Sequence, residues 1–513
     1  MLFLGLPLMA ESVVVRVADP ATWTTSQLSA YVGKTVTLAD DWYLCSNYNG
    51  YTISPRRIFS PTNQALPAST EYRNILTLNN SGVVSLAGVS GYHRTGERLH
   101  NAVVTISSIG YMTLQSGEWV GNSRADILQG YDTNAIDARD THTLLICASN
   151  LEYYLVENHG TGYGPDTEAE HQKQRQKVSQ ALALINADIY GFVEVERGQS
   201  ALKELAADLH KNTGRNFTYI NDGGSAQGSY TKSGYVYCSD KVKPRYQLQI
   251  NNTGVDYRKF MQCFEELATG ERFIFSLNHF KAKSGNGSGD NADQGDGQGN
   301  YNGDRVREAE SVLAEYQTIS TVVEDPDILI MGDLNAYAKE DPIRVLTEGG
   351  MKDLHRVFHA DSSYSYTYHS EAGYLDHALC SASMLPQVTG MVAYHINSDE
   401  RDCYTYDGSC NDGTIFRYSD HDPILVGLRL QKYAAIRTEL FCDPNLLFRD
   451  GYATIHNAAG GTLRLYHSAG FLTQEMPISS TVFTIPTAQL PSGIYVAHIF
   501  YDGKVLQRKL IIP

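Results

Sequence analysis

Residues 327–335, with the sequence Asp-Ile-Leu-Ile-Met-Gly-Asp-Leu-Asn, place polar side chains directly after an apolar run. The apolar part, residues 328–331, predicts a strand buried on both faces. Asp333 and Asn335 follow it, and side chains at the carboxyl end of a central strand stand at the mouth of a sheet. A carboxylate there can position a water molecule, and an amide can bind a phosphate oxygen. Gly332, Asp333 and Asn335 are also typical of an ordinary turn.

Five other segments repeat this arrangement of a polar residue in or beside an apolar run. The polar residues of the whole set are Asn150, Glu194, Asn278, His279, Asp333, Asn335, Asp376, Asp420 and His421. Each can be explained alone as a cap, a turn or a satisfied polar group of the core. Six such segments in one region are harder to assign to turns. They supply carboxylates for a hard metal ion, amides for phosphate oxygens and two imidazoles that can carry protons.

The elements that must position these residues span 141–431. Short apolar runs predict strands at 144–148, 188–193, 235–238, 272–277, 327–331, 374–380 and 423–430. Apolar residues spaced i, i+3, i+4, i+7 predict helices around Val178, Leu202 and Val306. Many consecutive strands lack an intervening helix, so the pattern favours an α+β domain with two sheets over a doubly wound parallel sheet.

Six motifs in this region resemble those of the endonuclease/exonuclease/phosphatase superfamily, the group of pancreatic deoxyribonuclease. They are Ala148-Ser-Asn150, Phe192-Val-Glu-Val195, Asn278-His-Phe-Lys281, Gly332-Asp-Leu-Asn335, Leu375-Asp376 and Ser419-Asp-His421. Within the superfamily the chain is most similar to bacterial extracellular nucleases, which share residues 278–283, an acidic glycine-rich loop and Arg305. The resemblance implies a two-sheet β-sandwich flanked by helices.

The resemblance also implies a metal site and a substrate surface. Glu194 would bind a divalent cation, helped by Asn150 and Asp420. Mg²⁺ is expected, because it takes one or two carboxylates, water molecules and a phosphate oxygen, with Mn²⁺ or Ca²⁺ as alternatives. Three basic residues would contact the substrate: Lys281, Lys283 and Arg305.

Five further positions are implied to act in catalysis. Asp333 would orient or deprotonate the attacking water, and Asn335 would hold a phosphate oxygen. Asp376 would fix the tautomer of His421, which contacts phosphate or acts as a general base. His279 would protonate the leaving oxygen, since a displaced alkoxide needs a proton.

Residues 11–140 alternate apolar and polar, with short strands predicted at 13–17, 35–38, 74–78 and 102–106. The pattern predicts a small all-β domain, and residues 33–38 resemble the opening strand of OB-type domains in secreted nucleases. Such barrels bind single-stranded nucleic acid or sugars. A packed spacer domain is the alternative.

The predicted catalytic domain contains a stretch, residues 284–303, that is rich in Gly, Asn and Asp. By composition this is a flexible linker. Its place inside a domain, directly after the strand that ends in Asn278 and His279, favours a long active-site loop instead.

The C-terminal residues 432–513 alternate as short strands and predict a small β-sandwich. The segments Leu490-Pro-Ser-Gly-Ile-Tyr-Val496 and Lys509-Leu-Ile-Ile512 resemble type A sorting domains of the type IX secretion system. The resemblance implies that the secretion machinery is a partner. An adhesive sandwich is the alternative.

Several features bear on the compartment. Residues 1–10 look like the apolar part of a secretory signal that lacks its basic start, with an ordinary first strand as the alternative. No later apolar run reaches the ~18 residues needed to span a bilayer, so stable membrane insertion is not expected. Cys403 and Cys410 flank an Asp407-Gly408 turn signal, which predicts a disulfide in a secreted protein and two free thiols in a cytosolic one.

The net charge of −16 argues against a protein held to nucleic acid by its overall charge. A bound cation can supply positive charge locally. The sequence therefore predicts a secreted, metal-dependent nuclease of low sequence specificity that acts on DNA or RNA, and endonuclease action is favoured. A phosphatase or lipid phosphodiesterase of the same fold is one alternative. A non-catalytic surface adhesin or nucleic-acid-binding protein is another.

Overall fold

The computed structural model describes residues 13–134, 142–222, 230–250, 259–431 and 445–512, the last range with gaps at 450–451, 457, 468–470, 481, 487–489, 492 and 502–503. Residues up to Leu430 form one compact unit, and those from Gln431 onward form a second. Within these ranges, no helix has the length and apolar character needed to cross a membrane. The signal-like segment 1–10 lies outside the described residues.

Seven strands of the N-terminal region surround one core. They are β1 (Val13–Val15), β2 (Thr35–Leu38), β3 (Trp42–Ser46), β4 (Tyr51–Ser54), β5 (Val84–Ala87), β6 (Arg98–Ser108) and β7 (Tyr111–Val120). The order is β1-β2-β6-β3-β4-β5-β7, and β6 also pairs with β7. This extra pairing closes β3, β4, β5, β7 and β6 into a five-stranded barrel, in which β5 and β7 are parallel. The predicted barrel is therefore present.

The expectation of an all-β domain is wrong, because three helices accompany the barrel: α1 (Pro61–Gln64), α2 (Thr70–Ser81) and α3 (Arg124–Asn134). The strand predicted at 74–78 lies inside α2. Ser69 caps this helix by accepting from the amide of Tyr72 at 3.0 Å. Buried Tyr72 and Asn79 follow the helical spacing, and the polar Asn79 concealed that period in the sequence.

The region from 142 to 431 contains fourteen strands and five helices among the residues that the structure describes. In chain order they are β8 (Leu144–Tyr154), α4 (Glu168–Ile185), β9 (Ile189–Glu196), α5 (Ser200–Thr213), β10 (Phe217–Tyr219), β11 (Thr231–Cys238), β12 (Val242–Ile250), β13 (Lys259–Glu266), β14 (Arg272–His279), α6 (Asn302–Val323), β15 (Ile328–Asp333), α7 (Asp341–Glu348), β16 (Lys352–Asp353), α8 (Leu354–His359), β17 (Tyr366–Tyr368), β18 (Glu371–Gly373), β19 (Asp376–Cys380), β20 (Val388–Ala393) and β21 (Ile424–Leu428).

Two six-stranded sheets make up most of this region, in the orders β10-β11-β9-β8-β21-β20 and β12-β13-β14-β15-β19-β16. One core lies between them and contains Ile146 and Val426 of the first sheet with Phe275 and Met331 of the second. A second core joins α4 and α5 to the first sheet. A third joins α6 and α7 to the second sheet. The predicted α+β arrangement of two sheets with outer helices is confirmed.

The loop before the last motif of this region is closed by a disulfide. Cys403 and Cys410 are bonded, with their Cα atoms 4.9 Å apart. The amide of Cys410 also donates to the carbonyl of Cys403. The disulfide predicted from the Asp407-Gly408 turn signal is therefore confirmed in the structure.

The second unit is described by seven strands: β22 (Asn445–Arg449), β23 (Tyr452–His456), β24 (Thr462–His467), β25 (Leu472–Pro477), β26 (Val482–Pro486), β27 (Gly493–Tyr501) and β28 (Lys504–Ile512). They form sheets of order β22-β23-β26 and β25-β24-β27-β28. Both sheets contribute to one core, which includes Ile455, Leu463 and Tyr495. Part of the sorting-like motif, Ser492, lies outside the described residues.

Candidate active site

Three predicted site residues lie in one row of the second sheet. The parallel register of β14 and β15 places His279 beside Asp333. The antiparallel register of β15 and β19 places Asp333 beside Asp376. Gly332 keeps this row together, because its φ is +122° and a Cβ there would lie 2.0 Å from the carbonyl oxygen of Asn278. Only glycine fits that approach of the two strands.

The first sheet supplies the opposite row. Strands β21 and β8 pair Ile424 with Ala148, so the segment just before β21 lies near Asn150. That segment carries Asp420 and His421. Strands β8 and β9 pair Asn150 with Val193, which places Glu194 next to Asn150. The ends of the central strands of the two sheets, which carry the predicted site residues, therefore face each other.

Direct contacts join the two rows. The Asn150 amide donates to Asp333 Oδ2 at 3.3 Å. His279 Nε2 lies 3.5 Å from Glu194 Oε1 and 3.8 Å from Asp333 Oδ2. Asn335 donates to Asp333 Oδ2 at 3.2 Å and to the carbonyl of Phe280 at 3.1 Å. The structure thus brings together all eight residues predicted for catalysis and metal binding.

His421 is held on several sides. Its Nδ1 lies 2.7 Å from Asp376 Oδ2, and Ser365 Oγ donates to the same oxygen at 2.7 Å. The Tyr366 ring stacks on the imidazole with centroids 4.6 Å apart. Asn397 donates to the His421 carbonyl at 2.7 Å. These contacts fix the ring and its tautomer, with Nε2 directed away from Asp376.

The charges around His421 decide its protonation. Burial alone would lower the pKa of His421. Asp376, Asp420 and Asp333 oppose that effect and raise the pKa of His421 well above its usual value. The neighbouring carboxylates therefore favour the charged form of the imidazole.

Burial and neighbouring carboxylates also raise the pKa values of the acidic groups, which disfavours their anionic forms. Burial, Asp420 and Asp333 raise the pKa of Glu194 to about 7. Burial raises the pKa of Asp333 above its usual value as well, and Asp376 contributes to that shift. Carboxylates pushed this close together lose stability as anions unless a cation shares the site. The donor set fits a hard divalent cation, which binds carboxylate and amide oxygens.

Two neighbouring groups of residues could hold such an ion. Oxygen or nitrogen atoms of Asp333, Asp376 and His421 lie within 4.8 Å of one another. In that group Asp376 Oδ2 is already engaged by His421 and Ser365, so it serves first to orient the imidazole. The second group, predicted from the sequence, is Glu194, Asp420 and Asn150, and within it the Asn150 side chain hydrogen-bonds to the Glu194 carboxylate.

Two charged residues of the site were missed from the sequence: Glu152 and Arg417. Burial and Asp420 raise the pKa of Glu152, while Arg417 lowers it. Arg417 donates to the carbonyl of Asn397 at 3.3 Å. Both lie within four positions of a predicted site residue, so the charged neighbours of the motifs were the available signal.

The site also concentrates unusual backbone conformations. Non-glycine residues with φ between +48° and +60° include Glu152, Tyr153, Glu194, Asn335 and Arg417. Such conformations cost of order 1–3 kcal/mol each and persist where the surroundings impose them. Their clustering indicates that the surrounding structure imposes these strained conformations, at a cost in stability, and so orients the side chains of the site.

The three basic residues predicted to contact substrate have different environments. Arg305 is fully buried, and its guanidinium donates to the carbonyls of Lys281, Asn300 and Gln298. Direct substrate contact by Arg305 is therefore a wrong prediction, because the side chain is enclosed by the loop it holds. Lys283 is paired with buried Glu340. Lys281 lies over the Tyr301 ring at 4.7 Å.

The glycine-rich stretch 284–303 has defined local structure. Asn300 Oδ1 accepts from the amides of Gly287 and Asp293. At Gly297, a Cβ would lie 2.6 Å from the Tyr72 ring of α2. The stretch therefore packs against the helices that accompany the barrel. A flexible linker is excluded.

Comparison with known proteins identifies the class. Residues 158–421 match the Endonuclease/Exonuclease/phosphatase family. The chain belongs to this family. Enzymes of the endonuclease/exonuclease/phosphatase family hydrolyse phosphodiester or phosphate ester bonds, and they typically use divalent metal ions. No curated protein matches the chain.

Solved structures of the endonuclease/exonuclease/phosphatase family are similar to this chain. One, from Bacteroides vulgatus, is 17% identical, covers 56% of this chain and 99% of its own, and has a TM-score of 0.38. A mannosyl-6-phosphatase from Bacteroides thetaiotaomicron is 16% identical, covers 56% and 100%, and has a TM-score of 0.37. The human Nocturnin catalytic domain is 13% identical, covers 56% and 94%, and has a TM-score of 0.37.

Proposed function

We propose that this protein is a secreted, Mg²⁺-dependent nuclease that cleaves phosphodiester bonds of DNA within the strand, with RNA as a further substrate and with low sequence specificity. The observation that carries the proposal is the convergence of Glu194, His279, Asp333 and the Asp376–His421 pair between two sheet edges. This set combines negative charge for a cation with two imidazoles for proton transfer.

Each residue then has a step that its position allows. Asp333 orients and deprotonates a water molecule, and the amide of Asn335 holds a phosphate oxygen. His421, aligned by Asp376, donates Nε2–H to the phosphate as negative charge develops on it. His279 protonates the leaving oxygen. Glu194, Asp420 and Asn150 would hold a divalent cation, which would neutralise negative charge at the phosphate.

The N-terminal barrel supports nucleic acid as the substrate. Its strand order, with a parallel pair at β5 and β7, agrees with an OB-like barrel, a fold that binds single strands. Lys281 adds a cation at the site of a protein whose net charge is −16. A phosphatase or lipid phosphodiesterase would not need a barrel that binds single strands.

Secretion is part of the proposal. The Cys403–Cys410 disulfide supports an oxidising compartment, where such bonds persist. The C-terminal unit, with two sheets and one core, is compatible with a sorting-like sandwich that engages a type IX secretion system. Secretion by a culture of the producing cells, and its loss on removal of residues 432–513, would test this part separately.

The decisive experiment uses closed circular DNA and circular RNA with Mg²⁺, with EDTA, and with EDTA followed by excess Mg²⁺. We expect nicking of the circles with Mg²⁺, none with EDTA, and recovery after Mg²⁺ is restored. His279→Ala is the matched negative variant. Release of inorganic phosphate from monoesters without any nicking would instead establish a phosphatase.

A further inference from the structure

A row of aromatic rings leads from the proposed catalytic His421 to the solvent. Tyr366 stacks on His421 with centroids 4.6 Å apart and planes at 30°. Tyr368, two positions along β17, lies nearly parallel to Tyr366 at 14°, with centroids 6.3 Å apart. Tyr366 is half-buried, whereas Tyr368 is 58% exposed. Tyr368 is one of several exposed tyrosines, and its position in a row of rings that starts at His421 distinguishes it from the others.

The hairpin that carries this row has an unusual turn. Strands β17 and β18 pair Tyr368 with Glu371, which leaves a two-residue loop of His369 and Ser370. Their φ angles are +48° and +72°. Two-residue hairpin loops of this kind are normally built from Asn and Gly, because side chains disfavour positive φ at both positions. The surroundings must therefore impose the turn.

The N-terminal region supplies those surroundings. Thr52 Oγ1 lies 3.1 Å from Ser370 Oγ, and Asn79 donates to Glu371 Oε1 at 2.8 Å. The backbone of Ala372 exchanges two hydrogen bonds with Ile58 and Ser60. Contacts with the barrel and with α2 thus hold the hairpin in place. A ring presented on such a support is pre-organised, which lowers the entropy cost of binding a ligand.

We propose that Tyr368, supported by Tyr366, is a stacking platform for an unpaired nucleobase next to the scissile phosphate. The inference rests on the proposed function, because it takes the phosphate to lie beside His421. In a nucleic acid, each phosphate has a base attached to the adjacent sugar, so a planar partner is available at short range. A base that is not paired offers a free face to a tyrosine ring, and stacking of this kind tolerates any base.

The proposal predicts that the contribution of Tyr368 to activity depends on the bases of the substrate and not on its sugar-phosphate backbone. The substrates are a single-stranded DNA oligonucleotide and a strand of equal length in which internal bases are replaced by tetrahydrofuran abasic units. We expect Tyr368→Leu to lower kcat/KM on the base-bearing strand by about 5- to 150-fold, the range of one lost base–aromatic stack. On the abasic strand the change should stay within about twofold.

Two further variants sharpen this test. Tyr368→Phe keeps the ring and should retain activity on both strands within about twofold. Phe471→Leu, which removes a ring 58% exposed in the second unit, is the matched control and should change neither substrate. Because Tyr368 is exposed, its replacement does not disturb a core.

A binding measurement separates this inference from the proposed function. Fluorescence anisotropy of the two labelled strands in EDTA reports affinity without hydrolysis. Tighter binding of the base-bearing strand, lost in Tyr368→Leu, supports the platform even if no strand is cleaved. The platform would be overturned if Tyr368→Leu lowered the affinity for both strands equally or left both affinities unchanged. It would also be overturned if the wild-type protein bound the abasic strand more tightly. None of these results would contradict nuclease action.

Discussion

Asp376 accepts two hydrogen bonds on a single oxygen, one from His421 Nδ1 and one from Ser365 Oγ, both at 2.7 Å. The backbone amide of Asp376 in turn donates to Ser365 Oγ at 3.2 Å. A buried carboxylate with donors on one oxygen has a single orientation. The His421 ring therefore has a single orientation in the resting protein, with Nε2 left for the substrate.

Replacing Asp376 by Asn should disrupt that orientation without removing volume. We expect Asp376→Asn to lower kcat on the order of 10²- to 10⁴-fold with a small change in KM, because the His421 tautomer matters most in the transition state. Steady-state kinetics on a DNA substrate would measure the two parameters. Asp361→Asn, at an exposed carboxylate, is the control. A variant that raises KM alone would assign Asp376 to substrate binding.

Glu194 is expected to be the main charged ligand of the cation. Glu194→Gln should abolish hydrolysis and raise the Kd for Mn²⁺, used as a calorimetric probe, while the circular dichroism spectrum stays unchanged. The metal contributes several kcal/mol to the transition state, so activity should fall by orders of magnitude. Glu348→Gln, with a side chain 70% exposed, is the matched control. A folded Glu194→Gln protein with near-normal activity contradicts the assignment.

The contact between the barrel and the catalytic domain should make stability depend on pH. Burial alone would raise the pKa of Asp399, but Arg57 and Arg94 lower it well below its usual value. The pKa of Asp399 is lower in the folded protein than in the unfolded chain, where it is about 3.9. The contribution of Asp399 to the free energy of unfolding is therefore complete above about pH 3.9 and is lost as the pH falls further.

Asp399→Asn tests this directly. Breaking a buried ion pair should cost about 3 kcal/mol or more of the free energy of unfolding at pH 7. Urea denaturation of both proteins should show a constant difference from pH 7 to about pH 4, and a narrowing difference from there to pH 2.5. A difference that stays constant down to pH 2.5 would mean that the charge of Asp399 contributes nothing.

The disulfide provides a fourth test. A digest under non-reducing conditions should contain the peptides of Cys403 and Cys410 joined, and mass spectrometry would detect them. Cys403→Ser should lower the free energy of unfolding by about 2 kcal/mol, since the bond closes a short loop. Wild-type protein treated with dithiothreitol should match the variant. Recovery of both thiols free from secreted protein would contradict the bond.

The predictable part of this structure is local in sequence. Asp333 and Glu194 could be identified because each interrupts or follows an apolar run, a feature visible within ten residues. The register that aligns His279, Asp333 and Asp376 then follows from neighbouring strands. The resemblance of the six motifs to a known family was needed to group these residues into one site, because Asp376 comes from a strand far along the chain.

The part that sequence reasoning missed depends on long-range packing. Arg305 has the positive charge expected of a residue that contacts phosphate, yet its guanidinium donates to three backbone carbonyls instead. Helix α2 escaped detection because Asn79 occupies a buried position and donates to Phe59 and Glu371. Asp399 carries no local signal, since its charged partner Arg57 and its partner Thr95 come from the N-terminal region. Such pairings are fixed by tertiary structure alone.

The ion pair of Arg57 with Asp399 joins residues 342 positions apart. During synthesis Arg57 leaves the ribosome early, and its carboxylate partner emerges only after almost all of the catalytic domain. Contacts of such sequence separation form late, because a very long loop must close first. A nascent chain that ends before residue 399 therefore contains Arg57 without its carboxylate partner. Such a chain also lacks Asp420 and His421, so under the proposed nuclease function unfinished chains would be inactive inside the cell that makes them.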